Sequence, residues 1–220
     1  MIKYIIIIFI CIYLIFLLFK TLKYEDNLNM FGFNFFKYTL TPLFRFWYPY
    51  KVINKKVTSI EGPVIFCGNH IHLMDQCLAI ISTKRPIHYM AKIEYFRNYK
   101  TKWFFKLAGC IPVDRSTKDE SAKAAAIKVL ESNNALGIFP EGTRNKTNKL
   151  LQPFKFGAVS MAKKTNAAIV PFAITGEYKF RTKNLTIEFG TPFKVENMTL
   201  EEANEKLCNE ILQMIKKKKN

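Results

Sequence analysis

Asn69-His70-Ile71-His72-Leu73-Met74-Asp75 sets an imidazole five residues ahead of a carboxylate, directly after an apolar run at 64–67. At that spacing a strand–turn–helix corner can bring the Asp75 carboxylate onto the His70 ring. The carboxylate would then fix the tautomer and stabilise the imidazolium once a proton has been taken. No serine or cysteine stands nearby as an obvious nucleophile, which favours direct activation of an acceptor hydroxyl. Two other readings stay open. His70-x-His72-x-x-Asp75 could begin a metal site, although the chain has only three histidines and carboxylates would have to complete the ligand set. Cys67 could be a nucleophile, but inside an apolar strand it reads better as a small buried side chain.

A second group, Phe139-Pro140-Glu141-Gly142-Thr143-Arg144, ends another apolar run. Gly142 permits a turn closed to other residues. Thr143 and Arg144 offer a hydroxyl and a guanidinium fork suited to a phosphate, with Glu141 placed to orient Arg144 or to bond a hydroxyl. An ordinary surface turn with a solvated arginine fits the same residues. Arg115 closes the run Ile111–Val113 with a further guanidinium, and Lys155 stands at the entry of a helical stretch, where free backbone N–H groups attract anions.

These segments need a frame to hold them. Short apolar runs at 64–67, 87–90, 111–113, 136–139, 169–174 and 185–189 read as strands, and 118–132 and 154–164 read as helices. Thr199 with Glu202 makes a capping box for a last helix running to about residue 215. The alternation predicts an α/β fold: a mixed, partly parallel sheet flanked by helices. Loops leaving the carboxyl ends of strands are then the natural place for the two constellations.

The first fifty residues read differently from residues 51–220. Sixteen uncharged residues at 4–19 lie between Lys3 and Lys20. As a helix they reach about 24 Å, somewhat short of the ~30 Å hydrocarbon core. No small-x-small cleavage site follows, so an uncleaved membrane-anchoring segment is expected rather than a signal peptide. Residues 31–50 are dense in Phe, Tyr and Trp, interrupted by Lys37 and Arg45. They suit a helix lying in a lipid interface and broken or kinked at Pro42, with a core helix as the alternative.

The net charge of +17 attracts polyanions, whether nucleic acid, anionic lipid or phosphorylated substrates. Basic and aromatic residues interleave again at 84–106, as an anionic membrane surface would require; no nucleic-acid module accompanies them. Five cysteines without a CxxC pair argue against a disulfide framework.

Taken in order, these motifs resemble those of the glycerolipid acyltransferases, specifically the bacterial lysophosphatidic acid acyltransferases. N-H-x-x-x-x-D is met by Asn69, His70 and Asp75; Gly109 and Arg115 give the glycine and arginine six apart; Phe139 to Arg144 match F-P-E-G-T-R in full; Val170-Pro171-Phe172 is the apolar-Pro-apolar strand. His72 departs from the serine often found there, which keeps the metal alternative in view. The resemblance implies acyl transfer from acyl-CoA or acyl carrier protein to the 2-hydroxyl of 1-acylglycerol-3-phosphate. His70 would be general base and Asp75 its orienting partner. Arg115, Glu141, Gly142, Thr143, Arg144 and Lys155 would hold the acceptor. It also implies no bound cofactor and a site on the cytoplasmic side of the inner membrane. Acylation of glycerol-3-phosphate or another lysophospholipid, and a non-catalytic adaptor binding anionic lipid, are the alternatives.

Overall fold

Strand β2 (Val64–Gly68) is buried at every residue, so it needs cover on both faces of its sheet. In the computed structural model, which describes Tyr13 and residues 31–114, 116–117 and 119–219, it has that cover. Of the expected anchor at 4–19 only Tyr13 is described; the rest of it, and Arg115, lie outside the described residues.

Among the described residues seven strands form one sheet: β1 (Tyr50–Ile53), β2, β3 (Ile87–Lys92), β4 (Ile111–Val113), β5 (Ala135–Ile138), β6 (Ala168–Thr175) and β7 (Leu185–Phe189). Their order is β1-β7-β6-β2-β5-β3-β4. Every pairing is parallel except β6 with β7, so the sheet is mixed and mostly parallel, as the strand–helix alternation predicts. β2 lies between β5 and β6, with Cys67 opposite Ile138 on one side and Gly68 opposite Phe172 on the other. The loops leaving β2, β5 and β6 therefore emerge at one rim.

Alternation along β2 sends Ile65 and Cys67 into one core, and Val64 and Phe66 into the other. The first core is closed by α5 (Glu120–Glu131), α6 (Gly157–Thr165) and α7 (Leu200–Lys219). The second is closed by α1 (Phe31–Trp47) and α2 (Asp75–Ser82). Two short helices, α3 (Ile93–Arg97) and α4 (Tyr99–Leu107), join β3 to β4.

The capping box is formed: the Thr199 N–H donates to Glu202 Oε2 at 2.8 Å and the Glu202 N–H to Thr199 Oγ1 at 3.1 Å. The helix it starts runs on through the terminal lysines rather than ending near 215.

The aromatic stretch at 31–50 divides in two. α1 continues through Pro42 instead of breaking there, and the Tyr13 hydroxyl donates to the Tyr38 carbonyl, which proline deprives of its helical partner. The helix ends before Pro49, and Tyr50 opens β1, a strand the sequence reading missed. α1 is neither wholly core nor wholly surface. Asn34, Lys37 and Phe44 are buried, while Leu43, Phe46 and Trp47 are exposed. Lys37 is held by the Thr83 carbonyl at 2.6 Å, the C-cap of α2, and burial, with Lys55 nearby, lowers its pKa to about 8. Among the described residues no helix is long and apolar enough to cross a membrane.

Candidate active site

The loop after β2 is fixed before its functional residues begin. Asn69 is buried and acts as a backbone surrogate: its Nδ2 donates to the Ile174 carbonyl at 2.9 Å, and its Oδ1 accepts the Ile174 N–H at 2.7 Å. The side chain thus stitches the end of β2 to the end of β6.

The next residue, His70, is held at both backbone groups by the segment after β5. Its N–H donates to Glu141 Oε1 at 2.8 Å, and its carbonyl accepts the Asn145 N–H at 2.7 Å. Its ring stacks on Phe139 at 4.2 Å between centroids, and Phe139 stacks in turn on Tyr89.

Asp75 opens α2 and has no solvent exposure. His70 Nδ1 lies 2.8 Å from its Oδ2, which also accepts the N–H groups of Ile71 at 2.6 Å and His72 at 2.7 Å. The Tyr178 hydroxyl donates to Oδ1 at 2.7 Å. Four donors thus converge on this buried carboxyl group. A carboxylate oxygen as acceptor at Nδ1 puts the ring proton there and leaves Nε2 as the nitrogen facing away from Asp75. The side chain of His70 is 17% exposed, enough for a substrate to reach it while the dyad carboxylate stays dry.

Glu141 is almost wholly buried, and both its oxygens are engaged by backbone: Oε1 by His70 and Oε2 by the Gln152 N–H at 2.9 Å. Burial raises its pKa, against the pull of those two N–H groups. It straps the loop after β5 to the loop after β2 rather than reaching toward Arg144.

Gly142 has φ +73°, and Lys155 crosses directly above it; a β-carbon at Gly142 would come 2.9 Å from Lys155 Cε and 3.0 Å from Nζ. The Lys155 N–H donates to the Pro140 carbonyl at 2.8 Å, which returns the chain to the site. Thr143, Arg144 and Lys155 are all exposed, so a hydroxyl, a guanidinium and an ammonium border the His70 loop and are open to an anion. A cleft of about 470 Å³ opens between the ends of β2 and β6 and the 145–150 loop, bordered by Asn69, Ile71, Asn145, Lys149 and Lys218 among others.

The rival readings of the histidines meet specific geometry. His72 Nδ1 accepts the Met74 N–H at 3.3 Å and its ring stacks on Tyr178, whereas His88 is buried on β3 with Nδ1 on the Gly109 carbonyl. Among the described residues no group of three or more His, Cys, Asp and Glu could hold a metal ion. Cys67 is fully buried, and burial alone pushes its thiol far up, away from nucleophilic thiolate.

Residues 50–175 match the acyltransferase family model, more than half of the chain. The chain belongs to the acyltransferase family.

Two relatives of this acyltransferase family member bear the name 1-acyl-sn-glycerol-3-phosphate acyltransferase. One, from Borreliella burgdorferi, is 35% identical over 132 residues, 59% of this chain and 52% of that protein. The other, from Bacillus subtilis, is 32% identical over 147 residues, 64% of this chain and 72% of that protein. The chain thus spans about half the length of the first relative and nearly three quarters of the second. The crystal structure of the 1-acyl-sn-glycerophosphate acyltransferase PlsC from Thermotoga maritima shares the fold, with a TM-score of 0.70 at 20% identity, covering 99% of this chain and 92% of that one.

Of the site residues expected from the sequence, His70, Asp75, Glu141, Gly142, Thr143, Arg144 and Lys155 fall on the linked loops of one rim. Asp114 directly follows the edge strand β4, three places from β2. Tyr178 was missed. Its one available signal was its place just past the carboxyl end of β6, at the same rim as His70. Burial first, and then Asp75, drive its phenol far up, so it remains a donor.

Proposed function

We propose that the chain transfers an acyl group from a thioester, acyl-CoA or acyl carrier protein, to the 2-hydroxyl of 1-acylglycerol-3-phosphate, giving phosphatidic acid. His70 Nε2 takes the hydroxyl proton as the oxygen attacks the thioester carbonyl. The tetrahedral oxyanion collapses and expels the thiolate, which recovers the proton from the imidazolium. Asp75 keeps Nδ1–H in place and offsets the transient positive charge. Thr143, Arg144 and Lys155, with Arg115, bind the acceptor phosphate. Glu141 and Gly142 position that cluster through the backbone. No cofactor enters these steps.

The observation that carries this reading is the His70–Asp75 contact at 2.8 Å on a loop bonded through Glu141 and Asn145 to the segment bearing Arg144. The names of the relatives point the same way. A positioned base supplies about 10²–10⁴-fold, so much of the rate must come from holding hydroxyl and thioester together, worth roughly 7–11 kcal/mol. We place the reaction at the cytoplasmic face of the inner membrane, where the acceptor is embedded and where the net positive charge attracts acidic lipid and acidic donors.

Purified protein offered acyl-CoA and acyl carrier protein donors against lysophosphatidic acid, glycerol-3-phosphate and neutral lysolipids tests the proposal. Phosphatidic acid from lysophosphatidic acid in preference to the rest is expected. Equal use of acceptors without phosphate would contradict it.

A further inference from the structure

Acyl transfer from a thioester carrier brings two anionic substrates to His70, and Thr143, Arg144 and Lys155 serve only the acceptor. A second set of cations reaches the same rim from elsewhere in the chain. The cleft between the ends of β2 and β6 and the 145–150 loop has Asn69 and Ile71 in its wall, the residues on either side of His70. Lys149 borders it from the loop after β5, and Lys218 from the last turn of α7. Both lysines are exposed, and among the described residues no Asp or Glu borders the cleft.

Lys149 is set by a loop folded around one amide. Asn145 Nδ2 donates to the Lys149 carbonyl at 2.9 Å, and Asn145 Oδ1 accepts the Thr147 N–H at 3.0 Å and the Thr147 hydroxyl at 2.7 Å. The same Asn145 donates its N–H to the His70 carbonyl, so Lys149 and the dyad loop are fixed to one residue. Lys218 arrives because α7 stays helical through the terminal lysines. Cations in a last helical turn complement its dipole, and Lys217 lies 3.9 Å from Glu188. Lys218 borders the cleft instead.

The rest of the wall is mixed in character. Ile71, Ile174 and Ile215 are apolar, whereas Asn148 and Asn184 carry amides and Thr175 a hydroxyl. A phosphopantetheine arm has the matching mixture, methylenes interrupted by two amides and ended by a phosphate. A bare acyl chain would cover those polar groups without bonding them. The phosphate gains charge-assisted bonds from ammonium groups at the border. The volume of about 470 Å³ lies within the roughly 300–1,000 Å³ usual for a small-molecule site.

We propose that this cleft seats the phosphopantetheine arm of the acyl donor, with Lys149 and Lys218 at its phosphate. This rests on the acyl-transfer reading, and binding measured without turnover keeps the two apart. In full-length Lys149→Glu/Lys218→Glu protein, KM for acyl-CoA should rise by at least about 10-fold, with KM for lysophosphatidic acid unchanged. Calorimetry should show coenzyme A binding weakened by the same factor, while pantetheine, which lacks the phosphate, binds both proteins alike. Lys128→Glu/Lys164→Glu changes the net charge equally at the ends of α5 and α6 that lead into the amino ends of β5 and β6, and should leave donor KM unaltered. All four lysines are exposed, so melting midpoints should match the wild type.

Unchanged donor KM and coenzyme A affinity in the cleft variant would overturn the proposal. An equal rise in the charge-matched control would do the same, because net charge alone would then be responsible. A rise confined to lysophosphatidic acid would give the cleft to the acceptor and overturn it too. With acyl carrier protein as donor, a matching rise marks the phosphate that both donors share, and a rise with acyl-CoA alone upholds the site with coenzyme A as its source. A rise with the protein donor alone would set the lysines against the carrier's carboxylates and overturn the phosphate assignment. Coenzyme A binding that depends on Lys149 and Lys218 without any acyl transfer would contradict the enzymatic reading alone. Acyl transfer with unaltered coenzyme A binding in the variant would contradict the cleft alone.

Discussion

The Tyr178 hydroxyl donates to Oδ1 of Asp75 at 2.7 Å, so the carboxylate oxygen not shared with His70 is bound by the loop after β6. Asp75 is thereby held from two sides at once: by the loop after β2 through Oδ2 and by the loop after β6 through Oδ1. Tyr178→Phe removes the second hold and leaves a buried acceptor unpaired, at a cost of about 1–3 kcal/mol. The expected result is a modest fall in melting temperature and a drop in kcat with little change in KM for the acceptor. Steady-state kinetics on phosphorylated lysolipid separate the two parameters; a change confined to KM would place Tyr178 against substrate instead.

Arg144 and Lys155 present charge at the mouth of the site without contributing to its core, since both are exposed. Loss of one charge-assisted bond is worth about 1.5–3 kcal/mol, so Arg144→Ala should raise KM for the phosphorylated acceptor by roughly 10–100-fold. Lys155→Ala should act in the same direction. Neither should shift the thermal midpoint appreciably, and the comparison of KM with circular-dichroism melts checks both statements.

Asn69 has a structural duty that the motif pattern alone does not disclose. Asn69→Ala strands the Ile174 N–H and carbonyl at the end of β6, at about 1–3 kcal/mol for each group left unpaired. Denaturant unfolding should show a lower midpoint with an unchanged slope. Wild-type stability in this variant would mean that the stitch between β2 and β6 carries no weight.

Lys37 makes stability depend on alkaline pH. Its pKa is lowered to about 8 in the fold against an ordinary value of 10.5. Between those two values the unfolded chain binds the proton that the folded chain has released, so stability rises with pH across that window. Relative to Lys37→Met, the wild-type protein should gain up to about 3 kcal/mol from pH 8 to pH 10.5. Parallel unfolding curves of the two proteins through that range, with no relative gain, would show that Lys37 is solvated.

The segments at 69–75 and 139–144 were legible because each is local, and because parallel neighbours β2 and β5 deliver their ends to one rim. The dyad follows from a five-residue spacing at a strand–helix corner, and the capping box at Thr199 from a three-residue spacing. What escaped the sequence is pairing at a distance. Tyr178 reaches Asp75 across 103 residues, a contact that exists only because β6 lies beside β2. β1 is four residues long and finds its partner in β7, with Tyr50 opposite Leu185, so no local pattern marks it. Glu141 stands near Arg144 in sequence, yet its buried carboxylate accepts the His70 and Gln152 N–H groups instead. α1 kept its helix through Pro42 because the lost bond falls at a single carbonyl, which the Tyr13 hydroxyl satisfies.

The most direct measurement is the rate of phosphatidic acid formation by His70→Ala beside the wild-type protein, at matched melting temperature and saturating thioester and lysophosphatidic acid. With His70 Nε2 as the base, the variant should be slower by about 10²–10⁴-fold while still binding acceptor. A His70→Ala protein within a few-fold of wild-type turnover would contradict the assignment.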